Sequence, residues 1–325
     1  MIDAADRTVL KGTLVAPHAV EWLAQARRPR IHSLYRQSLN LIDRRGELFS
    51  LVLPAVGPGP FALVVQPIQG NRWPAGGFAG RLRVDSPVRL RADAIEVGLL
   101  EVRLSDLETW QPSPDWDRLG SALTSEHLDR LDQLLQQHAP AGSLAPLADR
   151  AARALWSESG SREDLGSALL HTIAGLAQQL LSGLVQSDKG QIQGAAAKLA
   201  GLGGGVTPAG DDFMLGAIHA LWAAGEMVRV PNLGSAVVEA AAPRTNAISL
   251  AWLRAAARGE AGNEWHTLFD AILAGRPIDE VARVLVRRGH TSGADTLAGF
   301  VAARRELVAS EEAKQPIARA SRGSG

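Results

Sequence analysis

Apolar positions change their period part-way along this chain. From about residue 8 to 118 they fall in short alternating runs: Leu48–Leu53, Phe61–Val65, Gly80–Val84 and Val88–Ala92. Alternation over so few residues reads as strands, and several close together predict a β-barrel or sandwich. Gly57-Pro-Gly-Pro60 and Asn71–Gly77 are the turns between them, and one helical pattern, Pro17–Ala26, interrupts the series. After Pro112-Ser-Pro114 the apolar residues recur at helical spacing. Ala/Leu-rich stretches at 120–138, 144–158, 163–187, 191–200, 208–224, 233–241, 246–258, 263–274, 277–288 and 292–308 are predicted helices. The fold class is therefore α+β. A β-rich domain covers 1–118, an α-helical domain 119–310, and a loose polar tail 311–325.

Glycine then changes the picture. Gly201-Leu-Gly-Gly-Gly-Val-Thr-Pro-Ala-Gly-Asp-Asp212 runs directly into the apolar Phe213–Trp222. A regular element loses about 0.5–1 kcal/mol for each glycine, so core packing does not explain this run. The loop opens a helix, with Thr207 predicted as N-cap, Pro208 at the first position, and Asp211 and Asp212 in the first turn. A loop that delivers a helix start presents free N–H groups and partial positive charge, an arrangement suited to anions. Gly203, Gly204, Gly205, Thr207 and Gly210 are the candidate binding residues of this loop.

A second segment, Gly289-His-Thr-Ser-Gly-Ala-Asp-Thr-Leu-Ala-Gly-Phe300, repeats the core Gly-x-Asp-x-x-x-Gly. Gly210, Asp212 and Gly216 fall on Gly293, Asp295 and Gly299. If the two helices meet about a pseudo-twofold axis, Asp212 and Asp295 face one shared pocket.

Each candidate carries two readings. Asp211 and Asp212 suit Mg²⁺, a hard cation, or simply complement the helix dipole. His290 is an acid/base near neutral pH or an ordinary turn residue. Thr291, Ser292 and Gly293 either contact a ligand or cap the helix. Arg244, Thr245 and Ser249, in Pro243-Arg-Thr-Asn-Ala-Ile-Ser249, clamp an anion or start a helix. On the ligand reading, Asp212, His290 and Asp295 are the catalytic candidates. Gly-His-Thr-Ser-Gly is not the Gly-x-Ser-x-Gly of a nucleophile elbow, which argues against a serine hydrolase.

Composition mainly excludes. A length of 325 residues allows about two domains, and 34 Lys+Arg balance 34 Asp+Glu, so bulk charge favours neither nucleic acid nor an anionic membrane. The absence of cysteine excludes disulfides, thiol catalysis and cysteine-bound zinc. Met1–Asp6 lacks the order of a signal peptide, and no uninterrupted apolar run nears the roughly 18 residues of a membrane span. The expectation is a cytoplasmic protein without nucleic-acid or membrane partners.

Taken together, Gly203-x-Gly-Val-Thr-Pro-Ala-Gly-Asp-Asp212, Thr245-x-x-x-Ser249 and Gly289-His-Thr-Ser-Gly-x-Asp295 with Leu297 and Gly299 resemble the AllH family. Leu39-Asn-Leu41 and Gly57-Pro-Gly-Pro60 extend the resemblance to the N-terminal half. Val206 and Ala209 depart from the family's leucine and serine. The resemblance implies a subunit of a bacterial oxamate carbamoyltransferase, from allantoin and purine breakdown, moving a carbamoyl group between a ureido acid and phosphate. It implies partner subunits and a small anionic metabolite. It assigns no cofactor, and the paired acids leave Mg²⁺ as a candidate. The residues leave two alternatives open: a Mg²⁺-dependent helical hydrolase of a phosphate- or ribose-bearing compound, and a non-catalytic anion-binding assembly subunit.

Overall fold

The computed structural model describes residues 7–68, 73, 76–158 and 165–322, with the side chains of 158, 165–167 and 314–322 excepted. Residues 71, 72, 74 and 75 of the expected Asn71–Gly77 turn, the N-terminal Met1–Asp6, and 323–325 of the tail lie outside the described residues. By its contacts the chain divides into one unit of Met1–Pro112 with Ala261–Asn263, and another of Ser113–Glu260 with Glu264–Gly325.

The first unit is a mixed, nearly closed barrel-like sheet. Its strands are β1 (Thr8–Val15), β2 (Arg30–Leu34), β3 (Ser38–Ile42), β4 (Leu48–Val52), β5 (Ala62–Pro67), β6 (Val88–Leu90), β7 (Ala94–Val97), β8 (Leu100–Arg103) and β9 (Glu108–Thr109). Their order is β2-β3-β4-β5-β1-β8-β7-β6, with β9 beside β1. β1 pairs antiparallel with β5 and parallel with β8. Inward positions such as Leu10, Ile31, Leu39, Leu41, Phe49 and Ile95 are fully enclosed. Helix α1 (Pro17–Gln25) starts on Pro17 and stacks Trp22 on Phe49, centroids 4.9 Å apart. A polar thread crosses the sheet: Asn40 Nδ2 donates to Ser33 Oγ (2.9 Å), and Ser50 Oγ donates to Asn40 Oδ1 (2.6 Å).

One predicted strand is a turn. Over Gly80–Val84 the chain folds back through left-handed Gly76 and Gly77, and the Phe78 carbonyl accepts from the N–H groups of Arg81 and Leu82. Side-chain alternation here reflects one anchor, Leu82, dropping into the core, while Val84 stays 60% exposed. Gly77 is required: a Cβ there would overlap the Arg36 carbonyl.

The second unit is helical: α2 (Trp116–Ala122), α3 (Ser125–His138), α4 (Arg150–Glu158), α5 (Leu165–Gln186), α6 (Lys189–Leu199), α7 (Ala209–Ala223), α8 (Val230–Ala241), α9 (Ala247–Ala257), α10 (Asn263–Leu273), α11 (Asp279–Val286) and α12 (Ser292–Arg322). The predicted 120–138 helix is two, because Thr124 caps α3 in a capping box with His127. The predicted 144–158 helix is a 3-10 turn, Ala145–Ala148, followed by α4. Helix α12 extends through much of the segment read as a tail. Within α5, Ala168–Gln186 is long and apolar enough to cross a membrane by length and composition alone. Here its Ile173, Ala177, Leu180 and Leu184 are buried in the unit.

All fifteen residues of α7 are buried, so it is the central rod. Its sequence is apolar all round, as such a position demands. Helix α12 lies against it at two glycines. A Cβ on Gly216 would overlap the Thr296 carbonyl, and one on Gly299 would overlap the Phe213 carbonyl. Phe213 is to the first motif what Thr296 is to the second. The contact is therefore reciprocal, as a pseudo-twofold axis requires.

Candidate functional site

The repeat extends well beyond its glycines. In each copy a leucine lies in the last turn of the first helix, and the residue three positions on donates back to it: Leu202 N to Leu199 O (3.0 Å), Arg288 N to Leu285 O (3.1 Å). A left-handed glycine follows, Gly203 (φ 105°) or Gly289 (φ 66°). The motif glycine then closes the loop: Gly210 N donates to Leu202 O (2.9 Å), Gly293 N to Arg288 O (3.1 Å). Both must be glycine, since a Cβ would overlap the Leu199 or Leu285 carbonyl. The acids start their helices alike, Asp212 N donating to Pro208 O (3.1 Å) and Asp295 N to Thr291 O (2.9 Å). Thus α6–α7 and α11–α12 are one helix–loop–helix unit present twice. The first loop has an insertion, Gly204–Val206, and its Gly204 and Gly205 are exposed.

The two loops touch. Thr207 Oγ1 donates to Asp212 Oδ2 (2.9 Å) and lies 2.6 Å from Ser292 Oγ at the start of α12. This corrects the predicted cap: Pro208, not Thr207, is the N-cap of α7, because the threonine hydroxyl is committed to Asp212. Asp212 is 5% exposed. Burial holds its carboxyl well above the usual carboxylate range; Thr207 and Ser292 oppose that rise, and the charge of Asp295 adds to it.

Asp295 is fully enclosed. Its Oδ1 accepts from Leu144 N (2.6 Å), just ahead of the 3-10 turn, and its Oδ2 lacks a well-aligned hydrogen bond among the described residues. Burial pushes it up to about 6, against the pull of Leu144 N–H, the Thr291 hydroxyl and His290. His290 itself is exposed, while Thr291 and Ser292 are half-buried.

A second cluster surrounds Asp211. Its Oδ1 accepts from Gly201 N (3.2 Å) and its Oδ2 from Thr245 Oγ1 (2.5 Å), and burial raises its pKa. Ser249 sits beside it with a buried hydroxyl that lacks a well-aligned hydrogen bond. Asn246 caps α9 through Ile248 N and Ser249 N, and its Nδ2 donates to Val206 O (3.0 Å), tethering the glycine loop. Arg244 is exposed, and its carbonyl crowds Gly201, where a Cβ would come within 2.6 Å of the oxygen.

Successive helix positions point about 100° apart, and Asp211 and Asp212 accordingly hold different partners rather than converging. Among the described residues no group of three His, Asp or Glu side chains is placed to hold a metal. Sequence reasoning also missed two residues. Leu144 lies far from Asp295 in the chain and supplies only a backbone N–H; Asn246 tethers the loop through a side chain whose partner, Val206 O, leaves no mark in residue identity.

As assembled, the junction offers a buried acid at Asp212, the Thr207 and Ser292 hydroxyls beside it, and an exposed glycine loop. The N–H groups of Gly203 through Thr207 make no hydrogen bond among the described residues. Such a site can bind an anion and exchange a proton beside it.

The comparisons with known proteins bear on both units. A family model described as oxamate carbamoyltransferase subunit AllH matches residues 199–304, which span both loops and every candidate residue. Another, the AllH family N-terminal domain, matches residues 10–109. No curated protein and no solved structure matches the chain. With the two matches covering most of its length, the chain belongs to the AllH family.

Proposed function

We propose that this chain is a subunit of a carbamoyltransferase assembly, and that the junction of α7 and α12 handles a small carbamoyl acid and phosphate. The family is that of a subunit, so other polypeptides act beside it. The observation that carries the reading is Thr207 meeting both Asp212 and Ser292, which joins the two loops over one buried acid.

In the transfer, a phosphate oxygen bonds to the carbamoyl carbon and the bond from that carbon to the oxamate nitrogen breaks. The departing nitrogen takes one proton. Asp212, which burial keeps protonated to an unusually high pH, supplies it, and Thr207 and Ser292 orient the acid. Amides of Gly203–Gly205 receive the anionic end of the substrate, and His290 faces the charge that develops on the carbamoyl oxygen. Asp295, its counterpart across the axis, sustains the raised pKa of Asp212. Arg244, Thr245 and Ser249 border the loop through Asp211. A Mg²⁺-dependent hydrolase fits less well, since Asp211 and Asp212 do not converge.

The test is Asp212→Asn within the complete assembly. Carbamoyl transfer between oxamate and phosphate falls by at least about a hundredfold, while co-purification with the partner subunits is unchanged. Turnover within a few-fold of the wild type would assign the chain a binding or assembly role instead.

A further inference from the structure

The barrel of the first unit is not closed, and the opening has a chemical character of its own. Strands β2 and β6 are the two ends of the sheet, each paired on one side only. Among the described residues no backbone hydrogen bond joins one to the other. An unpaired strand edge is a template for another strand, and proteins ordinarily cover or blunt it. Here a groove of about 810 Å³ lies between the ends. Its floor is apolar, formed by Ile31, Leu34, Leu82 and Val88, and Val84 stands 60% exposed within it.

The segments that border it are basic. Arg30 on β2 lines the groove; Arg89 lies next to the lining Val88 on β6, and Arg27 and Arg28 precede the lining Pro29. All four are exposed and make no ion pair among the described residues. Arg28 is held left-handed (φ 52°) directly before Pro29, a conformation an arginine adopts only under constraint. The acid lining the groove, Asp85, lies 3.5 Å from Arg83. Arg91 is already engaged with Glu96 (3.1 Å).

We propose that this seam receives an extended acidic segment of a different polypeptide, which adds a strand between β2 and β6. Two unpaired edges are satisfied together only by an extended backbone, and the apolar floor suits the alternate side chains of a strand. Charge selects the occupant. A second copy of this chain would set arginine rim against arginine rim, whereas acidic side chains complement it. This surface belongs to the first unit alone and does not depend on the reading of the α7–α12 junction.

The experiment uses the full chain and a fluorescently labelled peptide of alternating Glu and Val, with an alternating Lys and Val peptide as control. Anisotropy is expected to show binding of the acidic peptide that weakens with added salt. Arg30→Gln with Arg89→Gln, one neutral change on each bank, weakens it by about tenfold or more. Hydrogen exchange on the wild type, which needs no variant to fold, gains protection in β2 and β6 when the peptide binds. Equal binding of the basic peptide, or protection elsewhere, overturns the proposal. So does an oligothymidylate that displaces the peptide, which would make the seam a nucleic-acid site. A dimer seen by light scattering that the double variant dissolves would make a second copy the occupant.

Discussion

Asp295 and His219 are both enclosed, and they titrate in opposite senses. Burial lowers His219 to about 4 amid Trp116 and Trp265, with Nε2 3.3 Å from the Glu260 carbonyl. An unfolded histidine takes its proton near 6.5, so His219 weakens the fold as pH falls from there towards 4. Asp295 holds its proton up to about 6 in the fold but only to about 3.9 when unfolded. Its protonation therefore favours the fold fully below the unfolded value, and that advantage is lost as pH rises through 6. Asp295→Asn keeps an oxygen for Leu144 N–H and removes the charge. The variant is expected to melt above the wild type at pH 7.5, reflecting about 2–3 kcal/mol, with the gap narrowing as pH falls through 6 and closing only at about pH 3. His219 is common to both proteins and cancels. Melting curves whose separation does not change with pH would contradict this account.

At this scale the sequence was a partial guide. Glycine and aspartate at fixed spacing located the loops, because few roles need both. It misplaced the cap at Thr207, whose hydroxyl serves a side chain and not the helix start. It could not show Leu144 beneath Asp295, since a backbone N–H leaves no trace in residue identity.

Among elements, the crossing of α7 and α12 is the most constrained. Gly216→Ala or Gly299→Ala drives a methyl group into the partner backbone, which cannot yield as a side-chain tip does. Each is expected to cost at least about 1–3 kcal/mol, the range for overpacking. Gly194→Ala is the control: this exposed glycine inside α6 has open space around its missing Cβ. That change stabilises by about 0.4–1 kcal/mol. Denaturant midpoints for the three variants measure the contrast, and similar values for all would refute the backbone contact. Helices were legible because their period persists over many residues. Gly80–Val84 was misread because alternation over five residues arises equally well from a turn with one buried anchor. The duplicated unit was recognised only in its second helix, since the Gly204–Val206 insertion shifts the first helices out of register.

For the molecule as a whole, charge balance governs colloidal behaviour. With 34 acidic and 34 basic side chains the isoelectric point is near 7.1. Solubility in polyethylene glycol is expected to pass through a minimum near neutral pH and to rise on either side as like charge accumulates. A flat profile from pH 5 to 9 would show that patches, not net charge, control association. The change of period correctly separated a β-rich half from a helical one. Which sheet ends stay open was beyond it, because strand order is set by pairing across the whole first unit.

The reciprocal contact at Gly216 and Gly299 has a chemical corollary. Two images of one scaffold that meet face to face bring any acid at the shared position towards its own reflection. Enclosure at the shared face, with the reflected charge adding to it, then favours retaining a hydrogen ion. A buried acid of raised pKa can thus arise from doubling, before either half has acquired a single specialised neighbour.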